Sequence, residues 1–202
     1  MDMKKIIIIL ILFSGMLFSQ SSPREIIDMS EIIPGLKTEV KYATNDNFTK
    51  QKLYTVGKAY GSLTMAQTLK AVGDSLAKIG LGIKVYDAYR PRIVQWLMWE
   101  IVPDPTYVAD PSSGSRHNRA AAVDLTLYDL KTGNDLAMPT PFDEFSSRAS
   151  HSYQNLPDSV KANRELLKNI MVKFGFEIYD AEWWHYTHIN SRNYALKDYQ
   201  LR

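Results

Sequence analysis

The stretch GSRHNRAAAVDLTL, residues 114–127, places His117 and Asp124 seven positions apart in a chain that has only four histidines. His117 ends a loop rich in Pro, Ser and Gly, and Asp124 lies inside an apolar segment typical of a strand. A carboxylate among Ala, Val and Leu is costly to bury unless a cation or a donor binds it. Imidazole nitrogen and carboxylate oxygen are common zinc ligands. A metal ion or a buried arginine would therefore satisfy Asp124.

A second candidate cluster is EWWHYTH, in which Glu182 and His185 are three positions apart. The aromatic content favours a strand, where residues at this spacing point to opposite faces. Glu182 and His185 can serve one site only if the strand bends or bulges. Taken alone, the cluster also fits a half-buried aromatic strand with a surface glutamate.

Together, the two clusters contain the parts of a zinc hydrolase. A catalytic zinc keeps three protein ligands and one open position, which His117, Asp124 and His185 would provide. Such an ion lowers the pKa of its bound water, and Glu182 could take the proton and pass it to the leaving amine. A cation is then needed opposite the developing oxyanion, and Arg90 in YDAYRP stands at the end of a predicted strand.

The elements that must position these residues indicate an α+β domain with a central antiparallel sheet flanked by helices. One helix is predicted from a cap at Ser62 or Thr64 to Gly80, and another from an Asp158 cap to Gly175. Strands are predicted at Lys37–Thr44, in the segment ending near Arg90, in AAVDLTLYDL, and once or twice in FEIYDAEWWHYTHIN.

Two of these predictions specify faces. In the strand that ends near Arg90, Ile83, Val85 and Asp87 are predicted to share one face. A third helix is predicted to begin at Pro91, with one apolar face. That face would be formed by Ile93, Val94, Leu97, Met98 and Ile101.

Length and composition restrict the class of protein. A chain of 202 residues suits one domain. With a net charge of +2 and no basic run, nothing indicates a nucleic-acid partner, and we expect none. The chain has no cysteine, which rules out disulfides, thiolate metal sites and cysteine nucleophiles. Stability must therefore come from the hydrophobic core.

The first 22 residues have the layout of a secretory signal peptide: Lys4 and Lys5, an apolar run, and then small polar residues. The apolar run, residues 6–18, is shorter than the roughly 20 residues of a membrane span. An uncleaved anchor is the alternative. We expect residues 23–202 to form one exported, periplasmic domain with no stable membrane partner after cleavage.

SRHNRAAAVD resembles the Ser-x-His-x-x-Gly-x-Ala-x-Asp motif of zinc D,D-peptidases, and EWWH resembles their Glu-x-x-His motif. Within that group the chain is most similar to the D-alanyl-D-alanine dipeptidases of the vancomycin-resistance type. KYATNDNFT, YDAYRP and TPFDEF extend the match over about residues 38–188. The resemblance implies the hedgehog/DD-peptidase fold and hydrolysis of the small D,D-dipeptide D-Ala-D-Ala to two D-alanines.

The resemblance also implies a role for each matching residue. One Zn²⁺ ion would be held by His117, Asp124 and His185, and Glu182 would be the general base. Arg90 would stabilise the tetrahedral intermediate, Asp143 would bind the substrate ammonium, and Ser115 would lie near the substrate. The alternatives are a D,D-carboxypeptidase or endopeptidase on peptidoglycan peptides, and a non-catalytic wall-binding module.

Two positions depart from the family pattern, because Ala120 and Lys50 stand where the family has glycine. If position 120 needs a positive φ, alanine costs about 1 kcal/mol or more there. Lys50 lies in a loop that is expected to border the pocket. Of the remaining histidines, His151 is expected to be exposed, and His188 to lie at the surface or behind the site.

Overall fold

The computed structural model describes residues 25–202. The predicted leader, residues 1–22, and its cleavage position lie outside these residues. No helix within the described part of the chain is long and apolar enough to cross a membrane.

A five-stranded sheet forms the centre of the domain, in the order β2-β4-β5-β7-β6. Its strands are β2 (Lys37–Thr38), β4 (Leu81–Asp87), β5 (Ala122–Asp129), β6 (Phe176–Tyr179) and β7 (Glu182–His188). A smaller antiparallel sheet pairs β1 (Ile26–Asp28) with β3 (Tyr60–Ser62). The predicted α+β class is confirmed, and the last segment, for which one or two strands were predicted, forms two.

The edge of the central sheet differs from the prediction. The strand predicted at Lys37–Thr44 is only Lys37–Thr38, and a 3-10 turn follows at Lys41–Ala43. This short strand runs parallel to β4, whereas every other pairing in the sheet is antiparallel. The turn buries Tyr42 and directs it towards the interior.

Helix α1 (Leu63–Ala77) begins where the sequence indicates, because the Ser62 hydroxyl accepts a hydrogen bond from the Met65 backbone N–H at 3.3 Å. Its apolar stripe, including Leu69, Val72 and Leu76, is fully buried. Helix α3 (Asp158–Lys173) starts one residue earlier than predicted. Asp158 is its first helical residue and Pro157 occupies the cap position.

Helix α2 (Arg92–Ile101) exists as predicted, but the predicted apolar face is wrong in part. Val94 and Met98 are buried together with Gln95. Ile93, Leu97 and Ile101 are exposed, at 66%, 39% and 43%. The buried face of the helix therefore includes a polar residue, Gln95, whose side chain has a hydrogen-bond partner in the interior.

A bulge in β4 corrects the predicted orientation of Asp87. Val85 pairs with Leu125 of β5, but the next pair is Asp87 with Asp124, so Tyr86 is an extra residue. Cross-strand partners share a face, and Asp124 and Leu125 point to opposite faces of β5. Asp87 consequently lies on the face of Asp124 and not, as expected, on the face of Ile83 and Val85.

Candidate active site

Three side chains from distant parts of the sequence converge on one point. Asp124 on β5 is the direct cross-strand partner of His185 on β7, and its Oδ1 lies 2.9 Å from His185 Nδ1. His117 comes from a 3-10 turn, His117–Arg119, that precedes β5. Its Nε2 lies 3.2 Å from His185 Nδ1 and 3.4 Å from Asp124 Oδ1. A turn between His117 and Asp124 thus brings both to the same place.

Hydrogen bonds on the far side of each imidazole fix which nitrogen faces this point. His117 Nδ1 donates to the Ala88 carbonyl oxygen at 2.6 Å, which leaves the Nε2 lone pair directed towards Asp124. His185 Nε2 lies 3.2 Å from Thr187 Oγ1, so its Nδ1 is the inward-facing atom. This is the outer-shell arrangement that orients metal-binding histidines.

The three inward atoms fit a zinc ion. Zinc lies about 2.0–2.1 Å from nitrogen and oxygen ligands in a tetrahedral site, so its ligand atoms are about 3.3 Å apart. The observed separations of 2.9, 3.2 and 3.4 Å agree with that value. Among the described residues, these three form the one group of His, Cys, Asp or Glu side chains suited to a metal ion.

Glu182 opens β7 and reaches the same point. Its Oε2 lies 3.9 Å from His185 Nδ1. The β6–β7 register explains how residues three apart share a side, because Ile178 pairs with Tyr186 while Tyr179 already pairs with Glu182. This irregularity in β7 is the departure from a regular strand that Glu182 and His185 need to serve one site. Burial, followed by the carboxylates of Asp124 and Asp143, raises the pKa of Glu182 well above its ordinary value.

Arg90 is buried in the same site and held on three sides. Its Nε and Nη2 donate to Asp87 Oδ2 at 3.1 and 2.8 Å, and its Nη1 donates to Gln95 Oε1 at 2.9 Å. Tyr54 in turn donates to Asp87 Oδ1 at 2.7 Å. Asp87, Gln95 and Tyr54 fix the guanidinium, and sequence reasoning did not assign them a role.

The backbones that carry Arg90 and His117 are joined. The Arg90 N–H donates to the His117 carbonyl at 3.2 Å, and Asn118 Nδ2 donates to the Arg90 carbonyl at 2.8 Å. Asn118 Oδ1 also accepts from the Ser115 N–H at 2.8 Å. The two side chains are thus positioned as one unit, with Ser115 beside them.

Asp143 lies in the loop between β5 and α3, with a left-handed backbone at φ 61°. Tyr42 donates a hydrogen bond to its Oδ1 at 3.0 Å. Its Oδ2 is buried and has no hydrogen-bond partner among the described residues. Burial, and then the charge of Asp124, raises the pKa of Asp143 to about 7. This oxygen is an unused acceptor for a cationic group.

One cleft of about 650 Å³ contains the whole set. It is lined by all seven residues singled out from the sequence: Arg90, Ser115, His117, Asp124, Asp143, Glu182 and His185. Tyr42 and Trp184 are among the aromatic side chains in its wall. The cleft therefore combines a triplet suited to a metal ion, a buried carboxyl group, a fixed guanidinium and an unused carboxylate oxygen.

Comparison with known proteins places the chain in a family. The family model described as D-Ala-D-Ala dipeptidase, peptidase family M15, matches residues 22–200. This protein belongs to the D-Ala-D-Ala dipeptidase family.

Curated members of the dipeptidase family cover most of the chain. The D-alanyl-D-alanine dipeptidase of Escherichia coli K12 is 38% identical over 177 residues, which is 87% of this chain and 91% of that protein. The dipeptidase of Enterococcus faecium is 33% identical over 79% of this chain and 89% of its own. A solved structure of the D,D-pentapeptidase VanY is 18% identical, with a TM-score of 0.40 over 67% of this chain and 75% of that chain. This structural similarity to VanY is too low to contribute to the family assignment.

Both departures from the dipeptidase pattern occur where the backbone is left-handed. Ala120 has φ 55° and follows the His117 turn, and Lys50 has φ 56°. Ala120 is fully buried beside Tyr60 and Tyr89, whereas Lys50 is exposed. Neither side chain lines the cleft with the metal-binding triplet.

The other two histidines lie outside the cleft of this dipeptidase-family chain. The expectation that His151 is exposed is wrong, because its exposed fraction is 4%. His188 is also buried, against Phe176, and its Nε2 lies 3.1 Å from Thr68 Oγ1. Neither residue lines the cleft.

Proposed function

We propose that this protein is a zinc-dependent dipeptidase that hydrolyses D-Ala-D-Ala to two D-alanines. Family membership supports the substrate class, and the His117–Asp124–His185 triplet supports the metal. The observation that carries the proposal is the buried Oδ2 of Asp143, which has no partner in the described structure and borders the same cleft as the triplet. A free dipeptide brings an ammonium group to pair with it.

His117 Nε2, Asp124 Oδ1 and His185 Nδ1 would hold the ion. When bound, zinc supplies Lewis acidity and lowers the pKa of a coordinated water towards neutrality. The Glu182 carboxylate accepts a proton from the attacking water and transfers it to the departing amine nitrogen. Arg90, fixed by Asp87 and Gln95, presents a guanidinium to the negative charge that develops on the carbonyl oxygen.

Selectivity for a free dipeptide follows from the chemistry of Asp143. An N-acylated substrate has no ammonium, so binding it would leave a buried carboxylate without a counter-charge. Longer wall peptides are acylated at this nitrogen and would therefore be poor substrates.

Ser115 is proposed to contact the substrate from the loop before His117.

The test is release of free D-alanine from D-Ala-D-Ala by residues 23–202, with and without a chelator, alongside N-acetyl-D-Ala-D-Ala. We expect chelator-sensitive turnover of the free dipeptide alone. Comparable turnover of the acetylated substrate would identify a D,D-carboxypeptidase instead. Bound zinc without turnover of either substrate would identify a wall-binding module.

We also propose that the enzyme is exported to the periplasm, where it would recover dipeptide released from the wall. The support is the basic and then apolar pattern of residues 1–22. Cell fractionation of the full chain, followed by mass determination, tests this. A cytoplasmic protein that retains residues 1–22 contradicts it.

A further inference from the structure

A second cavity, which we call the His151 pocket, shares only Ile178 with the lining of the active-site cleft. Its volume is about 530 Å³, and its lining includes His151, Arg164, Lys168 and Asp180. His185 and Tyr186 are consecutive on β7 and pair with Asp124 and Val123 of β5. They therefore point to opposite faces, so that His185 faces the cleft and Tyr186 packs against His151 at a ring separation of 6.1 Å.

Buried polar atoms without a protein partner are concentrated at this pocket. His151 is 4% exposed, and neither ring nitrogen has a hydrogen-bond partner among residues 25–202. Arg164 is 1% exposed, and its Nε is also without a partner in that part of the chain. The Tyr186 hydroxyl is also without a partner in the described chain, but Tyr186 does not line the pocket. Buried polar groups are nearly always hydrogen-bonded, so Arg164 Nε and the His151 ring nitrogens require either water or a bound ligand.

The rest of the Arg164 side chain is held in place. Its Nη1 donates to the carbonyl oxygens of Ser150 and Tyr153 at 3.2 and 2.6 Å, and its Nη2 donates to Glu165 at 3.3 Å. These contacts leave Nε as a donor fixed in position. A guanidinium anchored in this way is suited to carboxylate or phosphate oxygens.

The carboxylates at the pocket already have donors. Glu165 pairs with Lys168 and Arg164. Asp180 Oδ2 accepts hydrogen bonds from the hydroxyls of Ser150 and Ser152. These two carboxylates are therefore paired, whereas Arg164 Nε and the His151 ring nitrogens are without a partner in the described chain. Two acids with one histidine do not form a metal site here, since the one suitable triplet in the described chain is in the cleft.

We propose that the His151 pocket binds a small oxyanion, a carboxylate or a phosphate, through Arg164 Nε and one ring N–H of His151. Lys168, which also lines the pocket and pairs with Glu165, contributes positive charge. The site is separate from the catalytic cleft, and the proposal does not depend on the dipeptidase activity.

NMR of histidine-labelled full chain, zinc-loaded, tests this directly because there are only four histidines. Inorganic phosphate and acetate are titrated separately at constant ionic strength, with chloride as the reference salt. Signals are assigned with His151→Asn and His188→Asn. We expect the His151 signal to shift saturably while the His188 signal stays unchanged. Saturation by phosphate alone, by acetate alone or by both identifies the oxyanion that the pocket accepts.

A matched pair of lysine substitutions on α3 distinguishes a specific anion-binding site from non-specific electrostatic attraction. Lys168→Ala should weaken the affinity about 2–5-fold, because a partly exposed charge contributes modestly. Lys173→Ala, on the same helix but outside the pocket, should leave it unchanged. The proposal is overturned if neither anion shifts His151 saturably, as a pocket filled by water would behave, or if both lysine substitutions weaken binding equally.

Discussion

Asp124 and His185 face each other across the antiparallel pairing of β5 and β7, with 2.9 Å between Oδ1 and Nδ1. Two of the three proposed metal ligands are thereby fixed by sheet register and not by a flexible loop. His117 is added by a turn whose backbone is tied to Arg90. Rigid ligands on a sheet are preorganised for the ion.

Asp124→Asn should lower zinc affinity by at least about 100-fold, since even outer-shell substitutions cost 10–100-fold. The amide has the same shape but lacks the charge that pairs with the ion. Zinc content after dialysis against a graded chelator measures the effect. Asp74→Asn, on the exposed surface of α1, is the control, and equal zinc retention by both variants would argue against Asp124 as a ligand.

Glu182→Gln should keep zinc but lose about 10²–10⁴-fold in kcat, because the amide cannot accept the proton. The side chain lies 3.9 Å from His185 and is proposed to act on the water without ligating the ion. Zinc stoichiometry and D-alanine release are measured on the same sample. Loss of zinc together with activity would show that Glu182 acts as a ligand or as a structural group.

Asp87→Asn should impair both catalysis and stability. Asp87 is fully buried, and its Oδ2 accepts from Arg90 Nε and Nη2. Removing one partner of a buried ion pair typically costs about 3–5 kcal/mol, because the other charge is left uncompensated. Urea unfolding measures the stability, and kcat reports the loss of the fixed guanidinium.

Asp87→Glu provides the comparison for that variant. It retains the charge but displaces the carboxylate along the bulged strand. We expect it to recover more stability than kcat, since catalysis depends on where Arg90 points. Recovery of both to the same degree would mean that Asp87 has a structural role only.

The chemistry-bearing residues could be predicted because their types and spacing are local. His117, Asp124 and the Glu182–His185 pair can be recognised along the chain, and β5 forms in the segment predicted as a strand. The pairing of Asp124 with His185 joins residues that are distant in sequence, and no local pattern encodes that register. The β4 bulge is similar: adding Tyr86 moves Asp87 to the active-site face, against simple alternation.

Helix α2 and His151 show a second limit of prediction from the sequence. Apolar residues occupy nearly every side of RIVQWLMWEI, so periodicity cannot select the buried face. The partner of Gln95, the Arg90 guanidinium, selects it instead. His151 lies in a polar loop that reads as exposed, yet its backbone N–H donates to the Asp180 carbonyl at 2.8 Å and its ring packs on Tyr186.

The pH dependence of the unfolding free energy should report the raised pKa of Asp143. Its folded pKa, about 7, lies above the unfolded value, so the folded state binds more protons between about pH 4 and 7. Stability from this group is therefore lost as pH rises through that window, by up to about 1.4 kcal/mol per pH unit. Asp143→Asn removes this loss.

We expect the unfolding free energy of chelator-treated Asp143→Asn, relative to wild type, to increase from pH 4 to 7 and then level off. Urea titrations at four pH values measure it. The amide nitrogen adds a pH-independent cost that cancels in the comparison. Parallel pH profiles would show that Asp143 titrates normally and would remove one support for ammonium recognition.

Glycine at positions 50 and 120, the two departures from the family pattern, should have unequal effects, although both substitutions relieve about 1 kcal/mol of backbone strain. Lys50 is exposed, so Lys50→Gly should stabilise by up to about 1 kcal/mol. Ala120 has a fully buried methyl group worth about 0.8 kcal/mol, so Ala120→Gly should be nearly neutral.

Urea midpoints measure the stability of both variants, with the substitution Lys52→Gly at an exposed position as the control. That control has no positive φ to relieve and should be destabilising by about 0.5–1 kcal/mol. If Lys50→Gly destabilises as much as Lys52→Gly, backbone strain at position 50 is negligible.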